Sequence, residues 1–294
     1  MTIIQLPRIY DPDFAFPGRQ PLSTEIELRP LHLRNSQVAL SYVMNQKGAS
    51  QTIRDLKSGL VGTNTDPAQV SLSRDIEGGF VFFDNPTTGD GDGFDLGDPT
   101  QLKISTAITI IAGIRPGTQP GSFGRVISKG NGGGTGDQWG MLIDNEERPV
   151  FRINNISLSS TTVLNTGQYY NLAMRYKSGN KSIWIDGLED TPSTAQTGSI
   201  TTTGNVRFGQ HGDDAVSRSY VGNCYYMYVI AGFLNDYEIL SFHRNPYQLV
   251  QSKNDVFYSV PTVAAAGRIM SSLANHGGLA GMGGIAGQGG GLAG

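Results

Sequence analysis

Short apolar runs recur through residues 35–250, and clusters of Gly, Asn, Asp and Pro separate them. Runs of this length between turn-forming residues are typical of β-strands. Some of them alternate, so that Ile183 and Ile185 share one face of a strand and Trp184 lies on the other. The strand candidates are 38–44, 80–83, 108–114, 126–128, 139–143, 150–153, 169–176, 182–185, 206–208 and 224–233. Because no helical repeat lies between them, the pattern predicts an all-β fold of antiparallel sheets packed face to face.

One short helix is predicted at residues 235–243. Asn235 is a residue type that caps helices, and Glu238 follows it three positions later. This is the spacing of a capping box, in which each residue bonds the backbone N–H of the other.

The two ends of the chain differ in composition from the strand-rich middle. Five prolines and four arginines are spread through residues 1–34, which predicts an extended arm lying on another surface, with a disordered leader as the alternative. Residues 251–294 end in a glycine-rich tail, where Leu279, Met282 and Ile285 keep the three-residue period of the glycines. We expect this tail to mediate assembly between copies, because glycine lets extended backbones approach closely. A flexible low-complexity tail is the alternative. The predicted domains are therefore 1–34, 35–250 and 251–294.

Composition and charge narrow the classes of protein. Only 16% of the 294 residues are charged, which argues against a coiled coil or helical bundle. A net charge of −3 argues against a non-specific nucleic-acid binder, and no apolar run reaches membrane-spanning length. Cys224 is the single cysteine, so no intrachain disulfide forms. With no secretory signal in the first residues, we expect a protein made and assembled in the cytoplasm.

Several segments, taken in order between residues 37 and 249, resemble LamG-like domains of the concanavalin A-like lectin/glucanase superfamily. They are IRDLKSG at 53–59, GGFVFF at 78–83, GFDLG at 93–97, TIIAGIRP at 109–116, YYNLAMRY at 169–176 and IWIDG at 183–187. The resemblance implies a concanavalin A-like antiparallel jelly-roll sandwich at residues 35–250, with extended N- and C-terminal arms.

A second resemblance concerns ILSFHRNPYQL at 239–249, which is similar to the ending of LamG-like proteins encoded in phages and prophages. It implies a virion structural protein, either a capsid decoration protein or a component of a head or tail fibre. Its partners would then be other virion proteins and copies of itself, with a trimer as one arrangement, and its location the virion surface. A module that binds a cell-surface glycan, with or without Ca²⁺, is the alternative.

Two groups of residues are candidate binding sites. Asp90 and Asp92 alternate with glycines and Asp95 follows them, as oxygen ligands of a Ca²⁺ loop do, although an ordinary acidic turn is the simpler interpretation. Calcium is thus the one cofactor that the sequence suggests. Tyr169, Tyr170 and Trp184 are candidates to stack on sugar rings, with core packing of the sandwich as the alternative.

A catalytic site is not evident in the sequence. Retaining glucanases need two carboxylates about 5–5.5 Å apart, and the E-x-D-x-x-E motif that supplies them in laminarinase-type enzymes does not occur here. We therefore expect no enzymatic activity, with a glycoside hydrolase of the same superfamily as a further alternative.

Overall fold

The computed structural model divides the chain into two units, residues 1–10 with 254–294 and residues 11–253. It describes residues 2–4, 26–28, 32, 34–44, 52–65, 67, 69–84, 93–119, 123–130, 136–210, 218–252 and 258–260. In the smaller unit, the strand Thr2–Ile4 (β1) pairs antiparallel with Tyr258–Val260 (β20). The other described strands belong to the larger unit.

Two antiparallel sheets make up the larger unit. In spatial order, the described strands of sheet I are β13 (Ile156–Ser159), β12 (Pro149–Ile153), β11 (Asp137–Asp144), β10 (Phe123–Gly130), β17 (Asn205–Phe208), β8 (Phe94–Gly97), β5 (Val61–Asn64) and β4 (Thr52–Arg54). Those of sheet II are β16 (Leu188–Ser193), β15 (Asn180–Ile185), β14 (Tyr170–Lys177), β9 (Ala107–Pro116), β18 (Gly222–Ile230), β7 (Gly78–Phe83) and β6 (Val70–Asp75), with β3 (Val38–Val43) also paired to β18. The predicted jelly-roll sandwich is confirmed.

Smaller elements complete the unit. A separate pair joins β2 (Ile26–Leu28) to β19 (Val250–Ser252). Short 3-10 turns occupy Asn35–Gln37 and Thr100–Leu102, and a single α-helix within the described residues, α1, spans Asp236–Arg244. The pairing of β2 shows that part of the proline-containing N-terminal segment forms ladder bonds with a strand at the other end of this unit.

Each of the ten predicted strand candidates falls in an observed strand, although β18 ends at Ile230, three residues earlier than predicted. Pattern analysis missed several strands, among them the two sheet edges β13 and β16. β13 has only four residues, two of them serine, while β16 carries mainly polar or charged side chains and contains Pro192. Edge strands need not bury both faces and tolerate proline, so the apolar signal is weak there.

The local signal at Asn235 and Glu238 placed α1 correctly, and a tight turn follows from the local sequence at Asp186 and Gly187. Asn235 accepts a hydrogen bond from the Glu238 backbone N–H, and the Glu238 side chain accepts one from Asn235 N–H, which completes the predicted capping box. Between β15 and β16, Asp186 and Gly187 adopt φ of 50° and 79°. Positive φ at both positions is what a tight hairpin turn requires.

The main core lies between the two sheets and follows the two-residue period of the strands. Trp139 is fully buried there, and Phe83 packs edge-on against Phe208 with ring centroids 5.1 Å apart. Cys224 is also buried in this core, and burial raises the pKa of its thiol. Cys224 is therefore a residue of the core.

A second apolar cluster covers the outer face of sheet II. Tyr228 of β18 packs against Phe242 of α1, and Tyr226 packs against Tyr247 just beyond the helix. Ile26 of β2 joins the same cluster. The outer face of sheet II is therefore closed by α1 and its neighbours.

Candidate functional site

One row of residues crosses the outer face of sheet I and is polar or glycine in all eight described strands. Cross-strand register places its members directly opposite one another from edge to edge. We call it the polar row: Ser157, Arg152, Gly140, Ser128, Arg207, Asp95, Thr63 and Thr52. Directly opposite residues share a face of the sheet, so these groups form one continuous band.

The neighbouring row, one residue along each strand, points into the core. Phe151, Met141, Ile127, Phe208 and Phe94 are paired in the same order across the sheet and are buried. Side chains of successive residues lie on opposite faces of a strand. The polar row is therefore the outward half of strands whose inward half makes the core.

A buried carboxylate stabilises one half of the polar row. The Arg125 Nη2 and Nε donate to Asp137 Oδ2 and Oδ1 at 3.1 and 3.3 Å, and Arg152 Nη1 donates to Oδ2 at 2.8 Å. Asp137 is 1% exposed, and burial lowers the pKa of Arg125 while the charge of Asp137 opposes that shift. Arg152 Nε also donates to Ser157 Oγ at 3.2 Å, and its guanidinium lies 4.5 Å from the centroid of the Phe123 ring. These contacts hold the Arg152 side chain in one position.

The other half of the row is partly accessible to solvent, although the Arg207 side chain is only 12% exposed. Arg207 Nη2 lies 3.4 Å from Asp95 Oδ2, and the Asp95 side chain is 34% exposed. The Gly97 backbone N–H donates to Asp95 Oδ1 at 2.7 Å, which orients the carboxylate. Thr63 beyond it is exposed. This half offers guanidinium donors, carboxylate acceptors and hydroxyl groups side by side.

The three predicted sugar-stacking rings lie in different places. Tyr170 is buried between the sheets, where its hydroxyl accepts a hydrogen bond from the Asn165 backbone N–H at 2.9 Å. Trp184 is buried in the outer cluster of sheet II, and Tyr169 is half-buried against that cluster. The structure does not bring the three rings to one surface, and their contact with sugar stays a prediction.

Of the predicted calcium ligands, Asp95 alone lies among the described residues, and it is the Arg207 partner in the polar row. Asp90 and Asp92 lie outside the described residues, as do the predicted assembly residues Leu279, Met282 and Ile285. In the part of the chain that the structure describes, His, Cys, Asp and Glu side chains form no group of three that could hold a metal ion. Calcium binding and tail-mediated assembly stay predictions.

Sequence analysis missed the polar row although part of its signal was present. Arg152, Arg207 and Asp95 each stand between two core-facing apolar residues of a short strand. A charge in that setting must point outward. The pairing that aligns these strands depends on the register of the sheet, which no single segment specifies.

Comparison with solved structures shows sandwiches of the same fold. The chain is similar to a Trypanosoma rangeli sialidase, with 12% identity, a TM-score of 0.56, and coverage of 76% of this chain and 37% of the enzyme. It is also similar to the binding domain of Paraclostridial Mosquitocidal Protein 1, with 11% identity, a TM-score of 0.56, and coverage of 73% and 53%. The chain spans about a third of the length of the sialidases it matches. A search of curated proteins finds no match.

These neighbours contradict the expectation that the chain has no enzymatic activity, because several of them are sialidases, which are glycoside hydrolases. The expectation relied on the absence of paired carboxylates. Sialidases use a tyrosine nucleophile and are an exception to the two-carboxylate rule. A missing E-x-D-x-x-E motif therefore does not exclude hydrolysis, and that expectation was wrong.

None of the described helices is long and apolar enough to cross a membrane.

The family of the chain follows from its sequence and agrees with the fold. A family model described as the concanavalin A-like lectin/glucanases superfamily matches residues 88–239, which is more than half of the chain. The matched span runs from just before β8 to the first turn of α1, and it includes most strands of both sheets. The chain belongs to the concanavalin A-like lectin/glucanases superfamily.

Proposed function

We propose that this chain is a glycan-binding domain and that the polar row on sheet I is its binding surface. The observation that carries the proposal is the unbroken polar band across all eight described strands of the sheet, on the face opposite the core. Each sugar hydroxyl both donates and accepts a hydrogen bond. A surface that alternates guanidinium, carboxylate and hydroxyl groups matches that chemistry.

The two halves of the row have different tasks in this proposal. Arg207, Asp95 and Thr63 make the direct contacts, since they are partly or fully accessible, whereas Ser128 and Arg152 are buried. The buried ion pairs of Asp137 hold the Arg152 half rigid. A surface already ordered before binding loses less conformational entropy when the ligand arrives.

A glycan array probed with the full chain tests the proposal. The test variant is Arg207→Gln. Its matched control is Arg115→Gln, which removes a partly buried Asp-paired arginine from sheet II. Loss of a hydrogen bond to a charged group costs about 1.5–3 kcal/mol, so we expect at least roughly tenfold weaker binding for Arg207→Gln and unchanged binding for the control. Failure to bind any glycan, or equal loss in both variants, would refute the proposal.

The virion structural role implied by residues 239–249 is a second proposal. It includes the partners and location expected with it: other virion proteins, sister copies and the virion surface. In the structure, Ile239, Phe242, Tyr247 and Leu249 of this segment are buried. Their burial means that the segment contributes to the stability of the domain. Its test is whether the protein copurifies with phage particles at a fixed copy number, which a soluble host protein would not do.

A further inference from the structure

A lysine is buried where the edges of the two sheets meet. Lys181 of β15 is 1% exposed and pairs with Tyr176 on one side and Ser193 on the other. Its Nζ donates to the backbone oxygen of Ile156 in sheet I at 2.7 Å and to Gln196 Oε1 at 2.9 Å. The side chain of Lys181 thus reaches from sheet II to the edge strand of sheet I.

The environment of this amine contains no compensating negative charge among the described residues. No described carboxylate lies within ion-pair distance of Lys181 Nζ. Burial, and then the positive charge of Arg152, lower the pKa of Lys181 to about 7. A substantial fraction of the amine is therefore neutral at physiological pH.

The hydrogen bonds of Lys181 suit a neutral amine. A neutral amine has two N–H donors and one lone pair, whereas the charged form has three donors. The acceptors on Ile156 and Gln196 use both donors. Gln196 is fixed in this orientation because its Nε2 donates to the Ile153 backbone oxygen at 2.8 Å. With both N–H groups of the neutral amine used in this way, the nitrogen keeps its lone pair free of a hydrogen bond to either acceptor.

A small pocket includes Lys181 in its lining. Its volume is about 150 Å³, and its other lining residues include Leu158, Ala195, Ser157 and Ser193. A cavity of about this volume holds a molecule the size of benzene, which has roughly six non-hydrogen atoms. The pocket combines a nucleophile, apolar walls and hydroxyl donors.

We propose that Lys181 is a covalent binding site for small aldehydes, which it captures in this pocket as an imine. The nitrogen lone pair attacks the carbonyl carbon and forms the C–N bond, while the carbonyl π electrons move to oxygen, which takes up a proton. The carbinolamine then expels that oxygen as water as the C=N bond forms. The sum is amine plus aldehyde to imine plus water, without an oxidant or reductant. Ser193, which pairs directly with Lys181 across the two strands and lies in the same pocket lining, carries a hydroxyl that can donate to the carbonyl oxygen. This site adjoins the polar row at Ser157, and its chemistry does not depend on glycan binding.

Reductive trapping tests the proposal on the full chain. The protein is treated with limiting propanal and cyanoborohydride at pH 7, and each lysine is quantified by peptide mass spectrometry. Two other lysines serve as internal controls. Lys177 is exposed, and Lys57, whose pKa burial also lowers, donates to three backbone oxygens, which is the full donor capacity of an ammonium group. An ordinary lysine with a pKa of about 10.4 is almost fully charged at pH 7, so we expect labelling of Lys181 at least about tenfold faster than of either control.

Two further measurements separate pocket chemistry from general lysine reactivity. A bulky polyethylene-glycol aldehyde should label Lys177 but leave Lys181 unmodified. Lys181→Met should lose the fast propanal adduct while its circular dichroism spectrum stays that of the parent. Labelling of Lys181 no faster than of Lys177 at pH 7, or equal labelling of Lys181 by the bulky aldehyde, would overturn the proposal.

Discussion

Replacing Asp137 by asparagine tests how strongly the buried ion pairs stabilise sheet I. Asp137 accepts three hydrogen bonds from Arg125 and Arg152, and its side chain is fully buried. Asp137→Asn keeps the shape but leaves two buried guanidinium groups without their counter-charge. Removing one partner of a buried ion pair costs about 3–5 kcal/mol of unfolding free energy, because the remaining charge stays desolvated. In a domain of this size that corresponds to a fall in Tm of roughly 6–20 °C.

The matched control removes a carboxylate from an exposed pair. Glu146 Oε2 lies 2.8 Å from Arg148 Nη2, and the Glu146 side chain is 63% exposed. Exposed pairs contribute about 0–1 kcal/mol, so Glu146→Gln should hardly change the stability. Both variants are compared with the parent protein by urea unfolding and calorimetry at pH 7. If Asp137→Asn costs no more than Glu146→Gln, the buried ion pairs do not stabilise the sheet as argued here.

Three further predictions concern other parts of the structure. The native pKa of Lys181, about 7, lies below its unfolded value of 10.5, so its contribution to stability is present above pH 10.5 and is lost as the pH falls towards 7. Urea titrations at several pH values should therefore show the parent gaining roughly 3 kcal/mol relative to Lys181→Met between pH 7 and 10, and parallel pH profiles would contradict the assignment. In Gly113→Ala, the new Cβ would lie 2.5 Å from Tyr226 Cε1. Overpacking of this kind should lower the unfolding free energy by about 1–3 kcal/mol. An unchanged urea midpoint would show that the Tyr226 ring moves aside freely. Asn235→Ala removes the cap of α1 and should lower the unfolding free energy, measured by thermal unfolding, by about 1 kcal/mol. Asn235→Ser keeps a capping hydroxyl and should retain most of the stability of the parent. Equal losses in the two variants would rule out capping as the cause.

The sequence alone determined the class of fold and many of its elements, because those depend on local patterns. The two-residue alternation around Arg152 and Arg207 shows which side chains face the core, and such alternation specifies a strand without reference to its partners. The capping box of Asn235 and Glu238 specifies where α1 begins, since both of its hydrogen bonds form within one turn of helix.

The tertiary structure alone decided which of these side chains act together. Asp95 and Arg207 are 112 positions apart in the chain, and only the register of β8 against β17 places them opposite each other. Lys181 has the sequence setting of an ordinary strand lysine, and its pKa is lowered because the edge of sheet I lies over it. Local pattern is set by interactions within a few residues. Register, burial and desolvation arise from contacts between distant segments, and they exist only once the sheets have packed.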